Sequence, residues 1–265
     1  MTPRPKKYWG QHFLADQHLA RQIADTIEAP PPVLVVEIGP GKGILTRYLL
    51  EKPVQYVGVE IDPELAALLR TAWAHRPNFR LLEEDFLTLN LDALFQAYPG
   101  HTPVVVGNIP YNITGPILFK LFEYHSRLFQ ATLMVQKEVA RRIIAAPGSK
   151  DYGIVSIFSQ LYARTEYLWT VPAGRFFPRP QVDSAVVRFR FRNNATRQIH
   201  NPALFQRLVQ TAFRQRRKML KNSLSVLFPK EVFNKLDFDF HLRPEQVPIR
   251  DWIHLANQLN RLYSM

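Results

Sequence analysis

Val33-Leu34-Val35-Val36-Glu37-Ile38-Gly39-Pro40-Gly41-Lys42-Gly43 is an apolar run that ends in a glycine-rich loop, and Ile44 to Leu50 then opens an amphipathic helix. An apolar run of this length bounded by turn residues predicts a strand buried on both faces. Glycines allow a ligand to approach the backbone. The spacing is G-x-G-x-G, whereas dinucleotide-binding loops space their glycines G-x-G-x-x-G, which argues against a nicotinamide or flavin cofactor. A second strand, Tyr56 to Asp62, presents Glu60 17 positions after Gly43. A carboxylate at that strand end can accept two ribose hydroxyls. A third strand, Phe79 to Glu83, delivers Glu84-Asp85-Phe86, and a fourth, Pro103 to Gly107, runs into Asn108-Ile109-Pro110-Tyr111. In a doubly wound α/β sheet these four strand ends share one rim, which places a glycine loop, a ribose acceptor, an adenine-edge acceptor and a stiffened turn together.

The turn has its own chemistry. The Asn108 amide oxygen and the carbonyls of a proline-stiffened turn can accept both hydrogens of a planar exocyclic amine, while Tyr111 offers a ring on which a base can lie. Further motifs follow in order: Gly10-Gln11-His12-Phe13-Leu14, Phe176-Phe177-Pro178-Arg179-Pro180-Gln181-Val182-Asp183-Ser184, and Ala212 to Leu224 with its run Arg214-Gln215-Arg216-Arg217-Lys218. Together with Glu37 to Gly43, Glu60, Asp85 and Asn108 to Thr114, they span nearly the whole chain. This ordered set resembles the class I methyltransferases that use S-adenosylmethionine, and within them the ribosomal RNA adenine dimethyltransferases, of the small-subunit type.

The resemblance implies a Rossmann-like catalytic domain with S-adenosylmethionine as cofactor and a small C-terminal all-α domain. It implies that His12 and Leu14 touch the cofactor, that Gly39 and Gly41 lie against it, and that Glu60 holds its ribose and Asp85 its adenine. Asn108 would sit at the junction of cofactor and target. Asn108, Pro110 and Tyr111 would then be catalytic, and Phe176 would supply the second face against the flipped base, with Phe177 filling core. The family usually carries asparagine where this chain has His12, which leaves open an imidazole reaching the methionine carboxylate or a plain spacer. The implied substrate is a pair of adjacent adenosines in the hairpin loop near the 3′ end of small-subunit ribosomal RNA, in the immature subunit.

Composition agrees with an RNA partner, since 34 Lys and Arg against 22 Asp and Glu give a net charge of +12, a field that concentrates polyanions. Arg188, Arg190 and Arg192 alternate with Phe189 and Phe191, so on a strand the arginines share a face. They read either as a phosphate-contacting ribbon or as an edge strand guarded by charge. A helix expected from about Ala203 to Phe228 would carry Arg207, Arg214, Lys218 and Lys221 in one stripe, beside Arg217, as an RNA contact. Arg216 would fall on its apolar face and so pair with a carboxylate or reach across the domain junction. The polar seam Asn193 to Thr196 places the domain boundary, giving a catalytic domain of 1–193 and a helical rRNA-binding domain of 194–265. The basic tail from Met1 to Trp9 is expected to be mobile until RNA or cofactor orders it.

With no cysteine, disulfides, thiol nucleophiles and thiolate metal sites are excluded, and the eight histidines form no metal-binding pattern. No apolar run approaches the roughly 18 residues of a membrane span. A cytoplasmic monomer without metal is expected. The alternatives are a large-subunit rRNA adenine dimethyltransferase of the macrolide-resistance type, a DNA adenine methyltransferase, and a non-catalytic RNA-binding assembly factor. The DNA enzyme usually needs a larger target-recognition domain than remains here, and intact Glu60, Asp85, Asn108 and Tyr111 speak against lost catalysis.

Overall fold

The computed structural model describes residues 10–263, so the basic tail from Met1 to Trp9 lies outside the described residues. The fold divides the chain into two units, one reaching to Ala140 and resuming over Ala163–Asn193, the other comprising Arg141–Tyr162 and the residues from Asn194 onward. Residues 141–162, placed by the sequence pattern in the catalytic domain, therefore group with the C-terminal helices.

The first unit contains β1 (Phe13–Leu14), α1 (Gln17–Asp25), β2 (Val33–Ile38), α2 (Ile44–Leu49), β3 (Val54–Glu60), α3 (Pro63–Trp73) and β4 (Phe79–Glu83). It continues with α4 (Leu91–Gln96), β5 (Thr102–Asn108), α5 (Thr114–Glu123) and β6 (Gln130–Gln136), then α6 (Lys137–Ile144), whose second half enters the other unit. After α7 (Ile154–Tyr162) of that other unit come β7 (Ala163–Val171), β8 (Phe176–Phe177) and β9 (Ser184–Phe191). Seven strands form one sheet in the order β4-β3-β2-β5-β6-β9-β7. The first five are mutually parallel, and β9 runs antiparallel to both β6 and β7. Every residue of β2 is buried, as a central parallel strand covered on both faces requires. Helices start where their caps say they should: Asp16 accepts from Leu19 N at 3.0 Å and Asp62 from Glu64 N at 3.0 Å, each satisfying a donor at a helix start.

β9 is internal, not an edge. Its arginines meet carboxylates of the same unit: Arg188 bonds Glu166 and lies 3.1 Å from Glu28, and Arg190 pairs with Glu28. Hydrogen bonds from Arg190 and Arg188 hold the Glu28 carboxyl below its usual range, and those from Arg188 do the same for Glu166. The phosphate-contacting ribbon is thus corrected for Arg188 and Arg190, whose guanidinium groups are committed within the fold. Arg192 lies just past the strand and is exposed.

In the second unit α8 (Pro202–Arg214) is followed by α9 (Leu220–Ser223), α10 (Lys230–Phe233) and α11 (Ile249–Tyr263). The single helix expected from Ala203 to Phe228 is therefore broken. Gln215 leaves helical geometry at φ −123° and ψ 46°, where continuing the helix would set Arg214 one turn from Arg217 and Lys218, a like-charge arrangement that destabilises helices. Downstream, Leu220 N and Lys221 N are taken by the carbonyls of Leu242 and Phe240 at 2.9 and 3.1 Å. The basic stripe becomes Arg207 and Arg214 on α8, Arg217 and Lys218 in an exposed turn, and Lys221 on α9. Arg216 does find a carboxylate, Glu245, at 3.7 Å, and also donates to Lys150 O at 2.7 Å.

Candidate active site

The parallel strands β2 to β5 end on one rim, and their ends line a cavity of about 260 Å³. Gly39 and Gly41 from the loop after β2, Glu60 closing β3, Asp85 after β4 and Asn108, Pro110 and Tyr111 after β5 all face it, as does His12 from the N-terminal segment. Leu14 and Phe176 are not among its walls, and both are buried in the core beside Leu19, Ile23 and Val186. Their expected contacts, Leu14 with the cofactor and Phe176 with the base, rest on the resemblance alone. Phe176 is 4% exposed and Phe177 64%, the reverse of the division read from the sequence. The cause is the two-residue ladder of β1 with β8, which pairs Leu14 with Phe176 and Phe13 with Phe177 and so sends neighbouring side chains to opposite faces.

Gly41 occupies the left-handed region at φ +60°, and a Cβ there would stand 3.0 Å from the Phe13 ring. Its N–H donates to Glu60 Oε2 at 2.9 Å, while Glu60 Oε1 accepts from Asp62 N at 3.0 Å. Burial raises the Glu60 carboxyl, and these backbone donors hold it down. A carboxylate offers about four acceptor sites, so acceptor capacity remains beyond these backbone donors. Asp85 lines the cavity and its Oδ1 accepts from Leu87 N at 2.9 Å.

Asn108 is oriented by its neighbour. Its Nδ2 donates to the His12 carbonyl at 2.7 Å, and because a carbonyl can only accept, the amide oxygen is the atom left for a substrate. His12 Nδ1 donates to Pro178 O at 2.8 Å, and its ring stacks on Tyr111 with centroids 5.6 Å apart. The hydroxyls of Tyr111 and Ser184 are 2.7 Å apart, and burial pushes the tyrosine hydroxyl pKa up. The imidazole thus binds the Pro178 loop to the turn that carries Tyr111.

The chain matches the family described as ribosomal RNA adenine dimethylase over residues 3–261. It belongs to that family. Among curated relatives, the ribosomal RNA small subunit methyltransferase A of Bacteroides fragilis is 43% identical over 259 residues, covering 97% of this chain and 93% of that protein. The protein of the same description from Phocaeicola vulgatus is 44% identical over 256 residues, covering 97% and 90%. Among solved structures, a dimethyladenosine transferase from Plasmodium falciparum shares the fold, with TM-score 0.79, 24% identity and coverage of 94% and 98%. The 23S rRNA methyltransferase ErmE matches with TM-score 0.68, 29% identity and coverage of 94% and 99%. The fold is that of the class I S-adenosylmethionine-dependent methyltransferases.

In this adenine dimethylase fold the cavity has walls that sequence reasoning passed over, namely Gln11, Ile38, Ile61, Glu84, Phe86 and Leu87. Ile61 carried a usable signal: an isoleucine between two acids at a strand end has no core to enter, and it is 44% exposed. Among the described residues no helix is long and apolar enough to cross a membrane, and no group of three or more His, Cys, Asp or Glu could hold a metal ion.

Proposed function

We propose that this chain transfers methyl groups from S-adenosylmethionine to N6 of two adjacent adenosines in the hairpin loop near the 3′ end of small-subunit ribosomal RNA, acting on the immature subunit. One observation carries the reading: Asn108 is held so that its acceptor oxygen is presented beside Tyr111 at the end of a cavity whose other strand ends are Glu60 and Asp85. The residues fit the cofactor. Glu60 keeps acceptor capacity for ribose hydroxyls, Asp85 for an adenine amine, Ile38, Ile61 and Phe86 give apolar flanks, and a Cβ at Gly39 would meet nothing within 4 Å, so its loop is open to a ligand.

Bound S-adenosylmethionine supplies a sulfonium methyl, whose transfer needs alignment more than acid-base help. The chain supplies that alignment. The lone pair of adenine N6 is delocalised into the ring. The Asn108 oxygen and the Ile109-Pro110 backbone hold the N6 hydrogens and bond them more strongly as they gain charge in the transition state. Tyr111 stacks the base after it leaves its own stack. No residue is assigned as a base, because the nitrogen becomes acidic once it carries the new methyl. Arg207, Arg214, Arg217 and Lys218, all exposed, supply phosphate contacts from the C-terminal unit.

The relatives of 43% identity named for the small subunit favour that target over the large-subunit target named for ErmE. The test is transfer of labelled methyl groups to undermethylated small and large ribosomal subunits, followed by nucleoside analysis. Dimethyladenosine in small-subunit RNA alone is expected. Label in the large subunit selects the resistance-type activity, and none in either selects a binding factor.

A further inference from the structure

Lys120 lies on α5, the helix that follows the turn bearing Asn108 and Tyr111. Its ammonium donates to three main-chain carbonyls of the segment after β4: Phe86 O at 2.7 Å, Leu87 O at 2.9 Å and Leu89 O at 2.6 Å. An ammonium has three N–H donors and no acceptor, so these carbonyls saturate it. It also stands 5.3 Å from the centre of the Phe86 ring. Desolvation draws the Lys120 pKa down, and the carboxylates of Asp85, Glu84 and Glu123 oppose that fall.

The segment it grips is a cavity wall. Asp85, Phe86 and Leu87 line the pocket, and the N–H groups of Thr88 and Leu89 both turn back to Asp85 O at 3.0 Å. The N–H groups of the segment fold onto Asp85 while its carbonyls converge on one point, where dipoles of the same sign need a cation between them. We propose that Lys120 is a positioning residue for cofactor binding: by gathering the carbonyls of Phe86, Leu87 and Leu89 it sets the turn that presents Asp85 and ties that side of the pocket to the helix continuing from the catalytic turn. This rests on the reading that Asp85 faces the adenine of the cofactor.

The test is calorimetric titration of the full chain with S-adenosylmethionine, alongside methyl transfer to undermethylated small subunits. K120M leaves three carbonyls without their donor, and the dissociation constant should rise about tenfold or more, while kcat at saturating cofactor falls by less than about threefold because no acceptor of N6 is touched. The natural chain has no cysteine, so K120C can be alkylated at a single thiol with 2-bromoethylamine, which rebuilds an ammonium on a side chain of nearly lysine length. Affinity should be weak before alkylation and return to within about threefold of the natural value after it. Wild-type affinity in K120M, or no recovery in aminoethylated K120C, overturns the proposal. Should K120M not fold, the alkylated and untreated K120C pair gives the same reading. Failure of the unaltered chain to bind S-adenosylmethionine strikes the proposed function instead, and D85A, expected to weaken binding, shows that the adenine side is being read.

Discussion

Glu37 should make this fold less stable as the pH rises from 5 to 8. Its side chain is 2% exposed and accepts hydrogen bonds from the hydroxyls of Thr46 and Tyr56, each at 2.7 Å. Desolvation outweighs those donors and pushes its carboxyl from 4.5 up to about 7. Between those values the folded chain keeps a proton that the unfolded chain has released, so raising the pH favours unfolding. The contribution is fully present below 4.5, where both states are protonated, and is lost as the pH passes about 7. That interval corresponds to about 3 kcal/mol. Glu60, also raised by burial, adds in the same direction. Glu28 and Glu166 are lowered by their arginines and titrate below this window. In E37Q the amide oxygen can still accept from Thr46 and Tyr56, but the titration is gone. Urea unfolding at pH 5 and pH 8 should show the natural chain losing about 3 kcal/mol or somewhat more, and E37Q losing only the part due to Glu60. Equal losses in the two proteins would refute the assignment to Glu37.

Three further outcomes are expected. Replacing Asn108 by Ala removes the proposed N6 acceptor and should lower kcat about 100-fold or more while RNA affinity in a filter-binding assay stays within about threefold; parallel loss of both would overturn that role. Gly43 caps α2 at φ +78°, where an added Cβ would stand 2.2 Å from Trp73, so G43A should cost about 2–4 kcal/mol in urea unfolding; a loss under about 0.5 kcal/mol would mean that Trp73 yields freely. Changing Lys218 and Lys221 together to Glu should weaken RNA binding and reduce the salt slope by about 0.7 to 0.9 for each phosphate no longer neutralised, and an unchanged slope would exclude both from the interface.

The strand ends of the site were legible because the central parallel strands β2 and β5 are written as near-continuous apolar runs, and each strand from β2 to β5 ends at or just before a residue with its own chemistry. What escaped were features set by distant partners. Glu28 and Glu166 lie far in sequence from Arg188 and Arg190, so nothing local showed that those arginines were already engaged. The ladder of β1 with β8 decides which of Phe176 and Phe177 is buried, and two adjacent phenylalanines carry no mark of it. The break after α8 was hidden because Leu220 and Leu224 continue the helical spacing across the turn. Lys120 reads as an ordinary helical lysine until the carbonyls of Phe86, Leu87 and Leu89 are seen to converge on it.

The pairing of Phe13 and Leu14 with Phe177 and Phe176 also sets an order of events during synthesis. Once Asn108 has left the ribosome, the nascent chain has all four parallel strand ends that line the cavity. The Pro178 loop and its bond to His12 must wait several seconds more, at about 5–20 residues per second. The strand-end residues are thus made well before the loop that holds the His12 imidazole against the Tyr111 ring. The anchoring of His12 between that loop and Tyr111 is therefore completed only when translation of the first unit is nearly done.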